Sequence, residues 1–207
     1  MSTEALQASG DTRFYLDVPN IFHPLPLLGG EEELAAMADE LMPDAGDEMR
    51  RVWMDLSRTL VGALSQADTR YAGLCCERDS DTGVSPAALV VATPQLSFGD
   101  PRVAAAGIVQ VVGSTPGADA RVLNLPSGPS AVVAKERRLR LPNSAEAGGG
   151  ERALPVREAQ MYIPHKPWQR MVLISLSTPA IADWDVYARI FVRIGRSVRF
   201  GTGMPGA

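Results

Sequence analysis

The sequence predicts an α+β fold in which an antiparallel sheet of about six strands is flanked by helices. Between residues 71 and 177, short apolar runs alternate with turn-forming residues, as they do in consecutive antiparallel strands. Apolar residues at helical spacing precede and follow that region. The chain has 207 residues, of which 45% are hydrophobic and 21% charged, so we expect one core and a single domain over residues 1–207.

The N-terminal residues 1–43 are acidic and rich in proline, and we expect them to form an extension that packs on the core. A disordered tail is expected over residues 1–11. Residues 14–28 predict one short strand followed by an irregular passage, because three prolines block a long helix. The apolar residues of this passage are Ile21, Phe22, Leu25, Leu27 and Leu28. Since they are too apolar to be solvated, we expect the passage to lie across the core.

Two helices are predicted before residue 70. Residues 31–41 favour a short acidic helix. A second helix is expected after Pro43, with Asp44 or Asp47 as its N-cap. The apolar residues at helical spacing in this second helix are Met49, Val52, Trp53, Leu56, Leu60 and Leu64.

The middle of the chain predicts two strands and a helix. Residues 71–77 and 87–96 are expected to pair as antiparallel strands. Asp100 followed by Pro101 is typical of a helix start, so residues 101–112 are predicted to be a helix. The valine-rich end of this segment is equally compatible with a strand.

Four further strands are predicted in the second half, over residues 121–125, 131–141, 156–164 and 169–177. Residues 142–152 contain three successive glycines and are expected to form a flexible hairpin loop, because strands of matching length flank them. Residues 164–167 form the turn between the last two strands.

The last helix is expected to begin after Thr178, which precedes Pro179 and would act as its N-cap. Asp185 lies near its start and Arg199 near its end, as the helix dipole favours. One face carries an apolar stripe of Tyr187, Ile190, Phe191, Ile194 and Val198. Residues 201–207 are expected to be a disordered tail.

Charge is distributed unevenly along the chain. Residues 1–120 hold 18 acidic and 7 basic side chains, whereas residues 121–207 hold 6 acidic and 13 basic ones. We favour intramolecular complementarity, in which carboxylates such as those of residues 31–33 lie over a basic strand; a basic face kept for an acidic partner is the alternative. The basic strand carries Lys135, Arg137, Arg138 and Arg140. An isoelectric point near 5.2 disfavours nucleic acid as a partner.

Residues able to carry chemistry are few. No nucleophile elbow, phosphate-binding loop or H-E-x-x-H zinc pair is present, so we expect no catalytic residue, no metal and no cofactor. His165 is expected at the surface of a turn and His23 against a helix; a catalytic role would need a partner assembled in the fold. Adjacent Cys75 and Cys76 point to opposite faces of a strand, so buried thiols, one of them inward, are favoured over a redox pair.

Arginines are the candidate binding residues. Arg189, Arg193 and Arg196 fall on one stripe of the last helix. A solvated helix face explains this stripe, and an acidic docking surface is the alternative. Arg138 and Arg140, on the basic strand, complete the candidate set.

Several segments of the second half occur in a characteristic order. They are Tyr-Ala-Gly-Leu at 71–74, the strand at 88–92, Val-Leu-Asn-Leu-Pro-Ser-Gly-Pro at 122–129, Gln-Met-Tyr-Ile-Pro at 160–164, Leu-Ile-Ser-Leu-Ser-Thr-Pro at 173–179, and then Phe191, Ile194, Ser197, Val198, Arg199 and Phe200. This order resembles small actinobacterial proteins with a Mog1/PsbP-like architecture, over residues 70–200. The resemblance implies an antiparallel sheet sandwiched by helices, in a family used for binding rather than catalysis. Some relatives of this kind sit beside type VII secretion components, which implies a secretion-associated role.

We therefore expect a non-catalytic module that binds another protein. An enzyme or small-ligand binder with a site assembled only in the fold is the first alternative, and an immunity-type inhibitor is the second. The first residues show no basic start followed by an apolar run, and no apolar stretch reaches the roughly 18 residues of a membrane span, so we expect a cytoplasmic protein.

Overall fold

A computed structural model describes most of the chain. The described residues are 2–9, 12–27, 31–41, 64, 68–79, 83–140 and 153–201. Three predicted segments lie wholly or largely outside them: the helix after Pro43, the hairpin loop over 142–152 and the C-terminal tail.

Ten strands form two sheets in the described part of the chain. Their bounds are Ser2–Ser9 (β1), Thr12–Val18 (β2), His23–Pro24 (β3), Thr69–Asp79 (β4), Gly83–Ala92 (β5), Asp119–Leu125 (β6), Gly128–Arg140 (β7), Ala153–His165 (β8), Arg170–Thr178 (β9) and Arg199–Gly201 (β10). The main sheet has seven strands in the order β3-β4-β5-β9-β8-β7-β6. All neighbouring strands in it are antiparallel, so the α+β class and the antiparallel sheet are confirmed. The strand beyond the predicted six is β3, within the proline-rich passage.

The remaining strands form a small sheet in the order β1-β2-β10. In this sheet Phe200 of β10 lies opposite Phe14 of β2. The sequence predicts a disordered tail over residues 1–11 and a helix that continues to Arg199, whereas the structure has β1 over Ser2–Ser9 and β10 over Arg199–Gly201. Pairing with β2 supplies their backbone hydrogen bonds, and the composition of neither short segment signals that partner.

Three helices are described: Glu31–Leu41 (α1), Pro101–Val112 (α2) and Trp184–Ser197 (α3). The bounds of α1 and α2 are those predicted. Asp100 caps α2, because its Oδ1 accepts hydrogen bonds from the backbone N–H groups of Arg102 (2.7 Å) and Val103 (3.2 Å). Because α2 continues to Val112, the alternative of a strand at the end of this segment is wrong.

The start of α3 differs from the prediction. Thr178 Oγ1 accepts a hydrogen bond from the N–H of Ala180 (2.9 Å) and donates one to the carbonyl oxygen of Pro86 (2.6 Å). A 3-10 turn over Ile181–Asp183 follows, and α3 begins only at Trp184. Thr178 therefore stabilises the turn that leads into the helix, and it is not the N-cap.

The main sheet lies between two layers. On one face pack α3 and the small sheet, and their buried side chains, such as Phe14 and Phe191, share one core with the sheet residues Leu89 and Met161. In each strand, the alternate residues that point away from this core face the other layer. There α2 packs on β6, β7 and β8. In that layer a second apolar cluster joins α1 to Ala72 of β4. No described helix is long and apolar enough to cross a membrane.

Candidate binding cleft

A cleft of about 370 Å³ lies between α3 and the strands β6, β7 and β8. Apolar side chains from β7, β8 and α3 form its floor. They are Val132, Ala134, Ala159, Trp184, Ala188 and Phe191. This volume falls within the range of about 300 to 1,000 Å³ that ligand-binding clefts occupy.

The cleft exists because small residues lie between large ones. Trp184, Ala188 and Phe191 follow one another at helical spacing, so they share the face of α3 that packs on the sheet. Ala134 and Ala159 are paired opposite each other in the β7–β8 register. Three alanines thus come together where larger side chains would fill the space.

Charged side chains surround this floor. The guanidinium of Arg157 lies 4.8 Å from the centre of the Trp184 ring, and its Nε lies 3.8 Å from Glu136 Oε1. On β6, Asp119 and Arg121 form an ion pair at 2.8 Å. The four side chains of these two pairs are between 37% and 67% exposed, so the pairs contribute little to stability. Their charged groups are accessible to a ligand.

The described lining of the cleft combines charged groups with an apolar floor. Its described lining contains no serine, cysteine or histidine. Among the described residues, no three His, Cys, Asp or Glu side chains lie close enough together to hold a metal ion. An apolar floor beside guanidinium groups suits a ligand that combines an apolar group with a carboxylate.

The four predicted binding arginines whose side chains are described do not belong to the lining of this cleft. Arg189, Arg193 and Arg196 are exposed on the outward face of α3. Arg138 is exposed on β7, and strand alternation places it on the cleft side of the sheet. Arg140 ends β7, and its side chain is outside the described part of the chain. None of the four described arginines lines the cleft, and the arginines that do line it are Arg121 and Arg157.

The basic strand β7 finds a carboxylate on its neighbour β8. Arg137 Nε lies 3.0 Å from Glu158 Oε2. The helix α1, which carries residues 31–33, packs instead near β4, and three strands separate β4 from β7. The expectation that residues 31–33 cover the basic strand is therefore wrong. Long-range ion pairs do join the basic half of the chain to the acidic half: Arg199 lies 3.2 Å from Asp17, and Arg170 lies 3.5 Å from Asp68.

The two histidines lie apart. His23 Nδ1 is 3.8 Å from Glu40 Oε1 of α1, so His23 packs against a helix as expected. His165 is half-buried rather than at the surface, because β10 brings Phe200 into a stack with its ring at 3.9 Å between centroids. Trp168 packs edge-on to the same ring at 4.2 Å. Burial lowers the pKa of His165, and its Nδ1 has no hydrogen-bond partner among the described residues.

A buried polar network that the sequence analysis missed links α3 to β4 and β5. The Tyr187 hydroxyl donates to the carbonyl oxygen of Ser85 (2.8 Å), and Ser85 Oγ donates to Asp183 Oδ2 (2.6 Å). Cys75 is the inward thiol of the adjacent pair, and its Sγ lies 3.8 Å from the Tyr187 hydroxyl. Burial raises the pKa of Tyr187 to about 12. The hydroxyl therefore stays protonated and acts as a structural donor.

A second network lies on the opposite face of the sheet. Glu158 is 6% exposed, and its Oε1 accepts hydrogen bonds from Gln160 Nε2 (2.9 Å) and Ser175 Oγ (3.2 Å). Tyr162 donates to Gln160, and burial, followed by the charge of Glu158, raises the pKa of Tyr162. With Arg137 on its other oxygen, Glu158 is a satisfied buried carboxylate.

Sequence reasoning did not select three residues that characterise the cleft, namely Arg121, Arg157 and Trp184. Their signal is weak, because arginine on a strand and tryptophan at a helix start are each explained by ordinary folding. Only the register of β6, β7 and β8 and the position of α3 bring them together. No protein-family model matches the chain, and no curated protein shows significant similarity to it.

Proposed function

We propose that this chain is a non-catalytic module that binds another protein, and that the cleft between α3 and β6–β8 is its docking site. The observation that supports this proposal is the apolar floor flanked by arginines on two sides. We further propose a Mog1/PsbP-like fold and a secretion-associated role, on the resemblance of residues 70–200. The sheet with layers on both faces is compatible with that fold.

A protein is a better occupant than a small molecule because the apolar surface continues past the cleft. Val192 follows Trp184 and Ala188 at the same helical spacing and is 38% exposed. A small ligand would leave this side chain in water, whereas a protein segment would cover it. The alternative of a small-ligand binder is favoured only by the volume of the cleft.

Filling the cleft tests the proposal. The Ala188→Trp variant occupies the space between Trp184 and Phe191, and the Val186→Trp variant adds the same ring to an exposed position of α3 that does not line the cleft. Each full-length variant would be tagged and used to capture proteins from the native lysate. We expect one protein to be captured by the wild type and by Val186→Trp, and lost with Ala188→Trp.

The other outcomes contradict the proposal. Equal capture by all three chains would place the interface elsewhere. If no protein is captured and a small molecule co-purifies with the wild type but not with Ala188→Trp, the chain is a small-ligand binder. Circular dichroism of each variant serves as the control for folding.

A further inference from the structure

We propose that the docked segment is acidic and extended, and that it binds as an additional strand on β6 with an apolar side chain in the cleft. This inference rests on the proposed function and names the chemistry and conformation of the partner. Three features of the described residues carry it: the position of β6 in the sheet, the position of the cleft beside β6, and the charge around both.

The strand β6 is a terminal strand of the main sheet. Its seven residues, Asp119–Leu125, pair with β7 on one side, and no described strand pairs with the other side. At the opposite end of the sheet, β3 has only two residues and one of them is Pro24, which has no N–H to donate. Of the two end strands, β6 is the longer, and its residues line the cleft, so we take its edge as the one that accepts another strand.

The register shows which backbone groups of β6 face outward. A two-residue turn joins β6 to β7, and Leu125 is paired with Gly128 across it. In such a hairpin the closing pair is hydrogen-bonded and the next pair is not, so alternate residues direct their N–H and C=O groups away from β7. Asn124 lies opposite Pro129, which has no N–H, and this agrees with the assignment. Val122 is two residues further along β6, so its N–H also faces the open edge.

The cleft lies on the same edge of the molecule. Asp119 and Arg121 of β6 belong to its lining. A strand added to β6 lies about 4.8 Å away and directs every second side chain to the cleft side of the sheet. An apolar side chain at one of these positions reaches toward the floor near Trp184 and Ala188. The segment thus gains backbone hydrogen bonds from β6 and an anchor in the cleft.

The charge around the cleft favours a segment that carries carboxylates. On the helix side, Arg189, Arg193 and Arg196 are exposed, and on the sheet side Arg138 is exposed. The carboxylates nearest to the floor, Asp119 and Glu136, already pair with arginines of the cleft. On α3 the carboxylate opposed to three arginines is that of Asp185. Cationic groups are therefore in excess, and an acidic segment complements them.

The charges on the edge strand also disfavour a purely apolar or a basic segment. Charges on an edge strand are a common defence against uncontrolled pairing. The Asp119–Arg121 pair places such charges on the cleft side of β6. A basic segment would add to the cationic excess of the exposed arginines on α3 and β7, whereas carboxylates would offset it or extend the existing pairs.

A displayed library of random linear peptides, selected on the full-length protein, tests this inference. We expect the enriched peptides to share an excess of Asp and Glu and one apolar or aromatic residue. The peptide with the highest enrichment would then be labelled, and its affinity measured by fluorescence anisotropy. We expect affinity to fall by about tenfold or more in the triple variant Arg189→Glu, Arg193→Glu, Arg196→Glu, and to weaken as salt rises.

The extended conformation has its own matched pair of variants. Val122→Pro removes the outward N–H of β6, and Val122→Thr alters the side chain but keeps this donor. We expect Val122→Pro to lower the affinity for the peptide by about tenfold, and Val122→Thr to keep it near that of the wild type. Unfolding curves of both variants show whether the edge strand itself remains intact.

Each contrary result has a distinct meaning. Peptides without acidic enrichment, or no enrichment at all, overturn the acidic extended partner. Equal affinity of the two Val122 variants overturns strand addition, and a concentration-dependent dimer abolished by Val122→Pro assigns the edge to a second copy of the chain. None of these results changes the capture by the Ala188→Trp and Val186→Trp variants, so failure of this inference and failure of the proposed function are distinguishable.

Discussion

Tyr187 serves two purposes at one position of α3. Its ring belongs to the main core, and its hydroxyl holds the carbonyl oxygen of Ser85 at 2.8 Å. The apolar stripe in the sequence predicts the ring but not the hydroxyl, because its partners come from residues about a hundred positions earlier. A side chain that donates to a buried carbonyl stabilises the fold by more than its buried apolar area suggests, because the carbonyl would otherwise be buried without a donor.

We predict that Tyr187→Phe lowers the free energy of unfolding by about 1 to 3 kcal/mol, because it leaves the ring in place and the Ser85 carbonyl unpaired. Urea unfolding of wild type and variant measures the difference. The matched control is Tyr15→Phe, whose hydroxyl lies outside this network; we expect a change well under about 1 kcal/mol there. Equal effects would show that the network does not stabilise the fold.

The ring of His165 predicts a dependence of stability on pH. Burial against Phe200 and Trp168 lowers its pKa from the ordinary value of 6.5, so the folded chain resists a proton that the unfolded chain accepts. The stability associated with the neutral His165 ring is fully present above the pKa of the unfolded state, and it is lost as the pH falls through the pKa of the folded state. We expect His165→Phe to flatten the decline in stability below about pH 6.5. A wild-type profile that is flat in this range contradicts the prediction.

At the scale of single elements, the bounds of α2 are predictable from its local sequence. Asp100, Pro101 and the following small residues specify its start, and the structure confirms both of its bounds. We predict that Asp100→Ala costs about 1 kcal/mol and that Asp100→Asn costs much less, because asparagine also accepts from the first N–H groups. Thermal unfolding of the two variants measures this difference. An equal loss in both would mean that the charge, and not the cap, stabilises the helix.

The helix α3 depends on tertiary packing more than on local rules. Its N-cap residue Asp183 makes no capping hydrogen bond with its side chain, and the helix is held by the apolar face that includes Phe191, which is 2% exposed. We predict that Phe191→Ala costs about 3 to 5 kcal/mol and that Arg193→Ala, on the outward face, costs well under about 1 kcal/mol. Urea unfolding compares the two. Similar losses of stability in the two variants would show that the face of α3 that carries Phe191 is not the one packed against the sheet.

The difference between α2 and α3 explains what could be predicted at this scale. The apolar period of α3 is visible in the sequence, so its existence and its buried face are predictable. Its start is not, because the 3-10 turn at Ile181–Asp183 precedes the helix and Thr178 is bonded to Pro86 on a neighbouring strand, and neither feature is visible in the local sequence. Local pattern thus identifies an element, whereas its ends depend on the residues packed around it.

At the scale of the whole molecule, the N-terminal segment belongs to the core. Phe14, Leu16 and Val18 of β2 are at most 2% exposed, and Phe22 and Leu25 are also buried. We predict that a chain without residues 1–27 shows no cooperative unfolding transition, because it loses these side chains and the partner of β10. Far-UV circular dichroism during heating measures this. A transition like that of the full chain would show that the segment is dispensable.

The cleft illustrates what sequence patterns leave unpredicted. Each of its residues has a local explanation, and the decisive fact is that Ala134 and Ala159 are opposed while Ala188 lies above them. Register between strands and the placement of a helix over a sheet are long-range properties, and no window of the sequence contains them. The stripe of arginines on α3 is visible in the sequence, whereas the cleft depends on the fold.

The small sheet has a consequence for synthesis. One edge of β2 is completed by β10, so residues 13–15 have their partners on that edge only in residues 199–201. A ribosome delivers these segments in that order, with most of the given sequence between them. The pairing of Phe14 with Phe200 is therefore a contact of very high sequence separation, and we expect such contacts to form slowly because a long loop must close first.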